Sequence, residues 1–299
     1  MLGSFRVGGG LGENPVLLVG SMFYLGDKTV RNHSKGEFDK AEAKQRVEEA
    51  LNITEKYSLP LALDPVASTP KAMRKYVEFL LEYEKPVFLD GVNEASRVEG
   101  YRVVSELGAS NLAVVNSITI ETSQRELEEI RNAKIKAAVL IDFDFSNPGE
   151  TLFNMSKRLE ILNKLLLKAE KAGVKTSLVD AVVLDPYSIA LTGNAIEHLK
   201  QKGFIVGCAP GNALSKLPLE LDSIDATTIL TAALCFLRLK GADFLMYGPI
   251  KLVKYFASGI ATLEALQKAS VKPREKPRNH PLNKIMPILQ KPFLTRKPE

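Results

Sequence analysis

Six acid or amide side chains stand at comparable points along this sequence. Asp64, Asp90, Asn116, Asp142, Asp180 and Asn212 each lie at, or just past, the end of a short apolar run. A carboxylate can accept two parallel hydrogen bonds from a ring N–H and an adjacent amine, and an Asn amide offers a donor and an acceptor together. Such a set suits a flat nitrogen heterocycle that presents several N–H groups. Taken singly, any of these residues could instead cap the helix that follows. Six at the same end of successive runs point to a site. Other chemistries fit less well. His33, His198 and His280 are scattered, which argues against a histidine metal centre. The carboxylates make only a weak case for Mg²⁺, and no metal is expected on the chain itself. No Ser–His pair stands at the run ends for hydrolysis, and no Lys or Arg stands there either.

The elements that must position these groups alternate in type. Apolar runs rich in Val, Ile and Leu cover residues 15–20, 59–64, 86–90, 111–116, 137–142, 175–180, 204–207 and 242–247. Each is short and apolar throughout, as strands of a parallel sheet covered on both faces must be. Helical spacing fills the intervals, for example over 41–57 and over 155–172, where Leu159, Leu162, Leu166 and Ala169 recur three and four apart. Thr69-Pro70 and Ser123 are expected helix starts, and Ala172-Gly173 an expected helix end. Repeated strand–helix units with no composition break favour an α/β fold of the (β/α)₈ TIM-barrel type over a doubly wound sheet. A barrel brings the C-terminal ends of its strands to one mouth. Gly8-Gly9-Gly10-Leu11-Gly12 precedes the first strand, the wrong side for a dinucleotide cradle, and reads as a flexible or hairpin-like lid.

The 299 residues carry a formal net charge of +5, but the excess is local. Residues 271–299 hold eight Lys or Arg against two Asp or Glu, together with six of the 16 prolines. The chain therefore divides into a near-neutral barrel domain, 1–270, and a basic Pro-rich tail, 271–299. The tail is expected to be extended or partly disordered, either a solubilising segment or a contact for an acidic partner. A nucleic-acid binder would carry its basic excess on the folded body, so no nucleic acid is expected. No apolar run approaches the roughly 18 residues of a membrane span, and residues 1–6 lack the layout of a secretion signal. A cytoplasmic protein without direct membrane insertion is expected. Cys208 and Cys235 match neither a zinc nor a disulfide framework.

Several longer blocks carry a resemblance. Phe23-Tyr24-Leu25-Gly26-Asp27-Lys28, Lys35-Gly36-Glu37-Phe38-Asp39-Lys40, Leu89-Asp90-Gly91, Val115-Asn116-Ser117-Ile118, Leu178-Val179-Asp180 and Tyr247-Gly248-Pro249-Ile250 together resemble the H subunit of tetrahydromethanopterin S-methyltransferase. The likeness runs from about Gly8 to about Leu266. That family sits with the pterin-binding barrels, beside methyltetrahydrofolate:corrinoid methyltransferase and dihydropteroate synthase. The resemblance implies a methyltransferase of methanogenesis-related one-carbon metabolism. It would move the N5-methyl group of a methyl-tetrahydropterin to the cobalt(I) of a corrinoid carried on a separate protein. It further implies a homodimer, and companion subunits that could hold the chain at the periphery of a membrane complex. By the same resemblance Asp90 and Asn116 match the pterin-ring ligands, and Asp180 matches the second carboxylate, for the pyrimidine edge. Asn212 matches an amide placed near N5, and Asp64 and Asp142 join the cofactor-binding set from their own strand ends. Asp142-Phe143-Asp144-Phe145 is more acidic than the family's segment there, and Ala181-Val182-Val183-Leu184-Asp185-Pro186 is closer to the folate branch. The donor is accordingly of the tetrahydromethanopterin or the tetrahydrofolate type.

Methyl transfer from N5 makes one physical demand. The N5 anion is a prohibitive leaving group, so N5 must gain a proton or a hydrogen bond that strengthens as charge develops. The sequence offers Asn212 and Asp180 for this and no histidine acid, which predicts hydrogen-bond stabilisation with water as the proton source. A bulky corrinoid on a partner protein also demands an open mouth with an apolar rim. Two further readings stay open: a non-catalytic pterin-binding or complex-organising subunit, and a dihydropteroate-synthase-like transferase. The latter needs basic residues for its pyrophosphate leaving group.

Overall fold

The structure, a computed structural model, describes residues 1–10, 12–214, 223–271 and 279–294. Eight parallel strands close on themselves: β1 (Leu17–Met22), β2 (Leu61–Ala67), β3 (Val87–Gly91), β4 (Ala113–Ile118), β5 (Ala137–Ile141), β6 (Thr176–Asp180), β7 (Ile205–Cys208) and β8 (Phe244–Pro249). Each pairs with its neighbours in sequence, and β8 returns to β1. The helices between and after them are α1 (Lys40–Tyr57), α2 (Pro70–Leu81), α3 (Glu94–Glu106), α4 (Gln124–Asn132), α5 (Met155–Lys171), α6 (Ser188–Gln201), α7 (Ser223–Leu239) and α8 (Val253–Val271). This is the (β/α)₈ barrel that the alternating pattern predicts. Strands begin a residue or two later than the apolar runs do at Pro15, Pro60 and Pro86, because proline has no N–H for the ladder.

Strand alternation sorts the apolar side chains into two cores. Leu17, Val19, Ala62, Phe88, Val114, Val139, Leu178, Phe244 and Met246 fill the barrel interior. The alternate residues, among them Leu18, Leu63, Leu89, Val115, Leu140, Val179 and Leu245, meet the helices. Local signals set the helix ends. Thr69 Oγ1 accepts from the Ala72 N–H at 3.1 Å, Ser123 Oγ accepts from the Glu126 N–H at 3.0 Å, and Gly173 leaves α5 with a φ of 77°.

Two expectations are corrected. The N-terminal segment is not a lid over the mouth. Leu2 joins the barrel core, with Phe5 and Val7 against it, and Gly3 lies beside Pro86 and Leu112, just ahead of β3 and β4. These alternating apolar residues plug the N-terminal end of the barrel. The tail is not extended over its described part: Leu282–Leu294 forms α9, packed on α8 and α1, with Leu282 and Ile285 buried. The helical spacing of Leu282, Ile285, Met286 and Leu289 outweighs a proline-rich composition. Residues 272–278 and 295–299 of that tail lie outside the described residues. Among the described residues no helix is long and apolar enough to cross a membrane.

Candidate active site at the barrel mouth

Side chains two residues beyond the interior core continue its direction and emerge at the mouth. Ser21 follows Leu17 and Val19, Asp64 follows Ala62, Asp90 follows Phe88, Asn116 follows Val114 and Asp180 follows Leu178. The fold therefore gathers Asp64, Asp90, Asn116 and Asp180 into one ring. Asp64 Oδ2 accepts from Ser21 Oγ at 2.7 Å, and its Oδ1 accepts from Asn116 Nδ2 at 3.4 Å. Asn116 Nδ2 also reaches Met246 Sδ at 3.8 Å. With its amide nitrogen so engaged, Asn116 keeps its carbonyl oxygen for an incoming N–H. Asp90 is the register partner of Asn116, and the Asn116–Ser117 peptide is cis. Asp180 stands on β6, diametrically across the barrel from β2, and its Oδ1 accepts from the Val182 N–H at 2.8 Å. The capping alternative does not apply to the first three, since Thr69, Asn93 and Ser123 cap α2, α3 and α4.

The electrostatics of this ring are unusual for buried acids. Burial pushes the Asp64 and Asp180 carboxyls up to about 6. Asp90 rises well above the ordinary carboxylate range, first through burial and then through the charge of Asp64. Among the described residues, none of the three is bonded to a cation. With no cation to balance them, the charged forms of these carboxylates are costly. A ligand bringing N–H groups would remove that cost.

Asp142 is a correction to the sequence reading. It continues Ala138 and Leu140, whose side chains meet the helices, so it turns out of the barrel. Its Oδ1 bonds Arg158 Nη1 at 2.7 Å, both side chains being fully buried. Burial first, and the nearby charge of Asp180, raise its carboxyl, while Arg158 opposes them. Asp142 braces an arginine behind the ring and is not a ring ligand. Nor are the strand ends free of cations, as the sequence suggested. Arg97 of α3 reaches the Gly91 carbonyl at 3.1 Å, and Arg158 of α5 reaches that of Ala181 at 3.0 Å. Each is already paired, Arg97 with Glu126 at 2.6 and 2.7 Å and Arg158 with Asp142.

Asn212 lies in the short helix Gly211–Leu214 that follows β7, with an exposed side chain, at the rim rather than in the ring. Gly211 beside it must be glycine: a Cβ there would meet the Gly248 nitrogen at 2.5 Å. Cys208 and Cys235 are free. Burial and the charge of Asp180 keep the Cys208 thiol protonated, which suits packing rather than nucleophilic attack. Among the described residues no group of His, Cys, Asp or Glu is placed to hold a metal ion. A cavity of about 480 Å³, lined by Arg6, Ser58, Lys85 and His280 among others, opens at the other end of the barrel and contains none of the ring.

Sequence reading missed Ser21, although Leu17, Val19 and Ser21 share one parity; the apolar run simply stops at Gly20. Met246 and Arg158 carried no local signal, because both act across elements far apart in the chain.

Comparisons with known proteins bear on the family and the fold. The family model described as the tetrahydromethanopterin S-methyltransferase MtrH subunit matches residues 1–275. The H subunit of tetrahydromethanopterin S-methyltransferase from Methanosarcina acetivorans is 26% identical, across 95% of this chain and 96% of its own. The corresponding subunit from Methanothermobacter thermautotrophicus is 25% identical, across 94% and 95%. Among solved structures, dihydropteroate synthase from Thermus thermophilus superposes with a TM-score of 0.60 at 17% identity, over 86% of this chain and 97% of that one. The Xanthomonas albilineans enzyme in complex with 7,8-dihydropteroate gives 0.61 at 12% identity, over 86% and 95%. At these identities the structural likeness is one of fold.

Proposed function

Since the chain belongs to the tetrahydromethanopterin S-methyltransferase MtrH subunit family, we propose that it transfers the N5-methyl group of methyl-tetrahydromethanopterin to the cobalt(I) of a corrinoid protein. The observation that carries this reading is the ring of Asp64, Asp90, Asn116 and Asp180, in which the buried Asp64 and Asp180 and the half-buried Asp90, none bonded to a cation among the described residues, surround an oriented amide. Asp90 and Asp180, on different walls, would accept from ring N–H and amine groups, and Asn116 would accept through its carbonyl. Cobalt(I) takes the methyl carbon while the C–N5 bond breaks and its electron pair stays on N5. Asn212, reaching in from the rim, would hydrogen-bond N5 as that charge develops, and water would supply the proton. Asp64 with Ser21 holds the Asn116 amide.

The rim supports a macromolecular acceptor. Leu25, Val92, Phe145, Phe153, Leu184 and Tyr187 are all exposed, and all belong to the connections that follow β1, β3, β5 and β6 on the mouth side, Phe153 ending the short helix Pro148–Phe153. Exposed apolar residues gathered around an opening mark a docking surface, and the corrinoid protein is the partner this reading places there. Neither strand-end arginine is free for a pyrophosphate group, which disfavours a synthase of the dihydropteroate type. Homodimerisation, and assembly with companion subunits that hold the chain beside a membrane, go with the reading.

The test is to mix the protein with methyl-tetrahydromethanopterin and cob(I)alamin and follow the cobalt absorbance. Conversion to methylcobalamin, slowed in Asp180→Asn, is expected. Pterin binding by calorimetry with no methyl transfer would instead identify a non-catalytic, complex-organising subunit.

A further inference from the structure

The turn that leaves β6 is held more firmly than a surface loop requires. Val182 has a φ of 53°, the one β-branched residue among the described non-glycine residues with a positive φ. That conformation is unfavourable for valine, and such outliers persist only where their surroundings impose them. Here the imposition is visible. The Ala181 N–H donates to the Gly207 carbonyl at 2.9 Å, and Arg158 Nη1 donates to the Ala181 carbonyl at 3.0 Å. Thr192 Oγ1, from α6, donates to the Val182 carbonyl at 2.7 Å. The product of this conformation is the 2.8 Å bond from the Val182 N–H to Asp180 Oδ1.

The arginine is placed for this carbonyl rather than for its tightest ion pair. Arg158 meets Asp142 through one nitrogen only, so that Arg158 Nη2 and Asp142 Oδ2 are both buried without a partner among the described residues. A bidentate pair would have satisfied both. The guanidinium is instead turned so that Nη1 serves Asp142 and Ala181 together, while Nε donates to the Thr151 carbonyl at 3.1 Å.

We propose, building on the pterin reading above, that Arg158 and Thr192 are positioning residues for Asp180. By gripping the carbonyls on either side of the Val182 nitrogen and α-carbon, they keep Val182 left-handed. Its N–H then occupies one carboxylate oxygen of Asp180 and leaves the other for the substrate. Neither residue touches the substrate.

Thr192 offers the cleaner experiment, because Thr192→Val removes the hydroxyl at nearly constant shape, whereas Thr192→Ser keeps it. Calorimetric titration of the full-length protein with methyl-tetrahydromethanopterin, between about pH 5 and about pH 8, is combined with single-turnover transfer to cob(I)alamin. Thr192→Val is expected to weaken pterin binding about tenfold, with the loss falling on affinity rather than on the rate at saturating pterin. The pH midpoint of affinity should move upward, since the Asp180 carboxylate loses an N–H donor. Thr192→Ser should restore both. Unchanged affinity and midpoint in Thr192→Val, alongside a loss in Asp180→Asn, would overturn the positioning role and leave the pterin site standing. Absence of pterin binding by the wild type would overturn both. If Thr192→Val does not fold, Val182→Pro probes the same contact, since proline lacks the N–H and cannot take that φ. Full affinity in Val182→Pro would also refute the proposal.

Discussion

Buried acids stand at both ends of the barrel and are treated in opposite ways. Near the N-terminal end, Glu264 receives Arg238 at 2.6 and 3.1 Å and the Val16 N–H at 2.9 Å. Asp243 there receives Lys200 at 2.6 Å and the Val206 N–H at 3.0 Å. At the mouth, the Asp64 carboxyl has only Ser21 and Asn116, that of Asp180 has only one backbone N–H, and that of Asp90 has no hydrogen bond among the described residues. All are carboxylates, and Asp64 and Asp180 are buried as Glu264 and Asp243 are, with Asp90 half-buried. An acid closed by a cation braces the fold, whereas an acid left open can accept from a ligand, and its charged form is a cost to the unliganded protein.

Removing a brace should have the largest effect. Arg238→Met leaves Glu264 buried and unpaired, and urea denaturation should show a loss of about 3–5 kcal/mol. A loss near zero would erase the distinction between the two ends. Next in size is Asn212→Ala, expected to slow single-turnover methyl transfer about 10²–10³-fold with little change in thermal midpoint; an unaltered rate would remove Asn212 from N5.

Asp180→Asn and Asp90→Asn sharpen the contrast more directly. Each should weaken pterin binding by about 10–100-fold in calorimetry, the worth of a hydrogen bond to a charged group. Each should also raise the thermal midpoint above pH 7, because a charge with no cation beside it is gone. A lowered midpoint would class that residue with the braces.

A smaller effect is the pH dependence of the unliganded protein. Asp64 and Asp180 titrate at about 6 in the fold and at about 3.9 when unfolded. Between those values the folded form holds more protons, so these two acids make stability fall as pH rises from about 4 to about 6. The double variant Asp64→Asn, Asp180→Asn should flatten that slope in urea midpoints, and bound pterin should oppose it. Least of all, Phe153→Ser on the rim should raise KM for the corrinoid protein a few-fold while leaving pterin affinity alone, read from steady-state transfer.

Much of the fold is written locally. Apolar runs of strand length, helical repeats such as Leu159, Leu162 and Leu166, and the caps Thr69 and Ser123 depend on residues within a turn or two of one another. They determined eight strands, their helices and hence a barrel. Placing acids at strand ends followed from the same register. Parity is less forgiving. Asp180 ends its strand in register with Ile141, whereas Asp142 stands one residue further on and turns outward to Arg158, sixteen residues on. Glycine and proline counts at the termini misled for a related reason: Leu2, Phe5, Leu282 and Ile285 declare their role only once a barrel floor and a helix face exist to bury them.

By itself, then, the sequence determined the kind of elements, their order and the chemical class of what their ends could bind. Tertiary structure alone decided which acids face one another, which receive a cation, and which turn is held left-handed beneath Asp180. Backbone periodicity is a property of neighbours along the chain. Burial without a partner is a property of neighbours in space, and those come from helices and strands far apart in sequence.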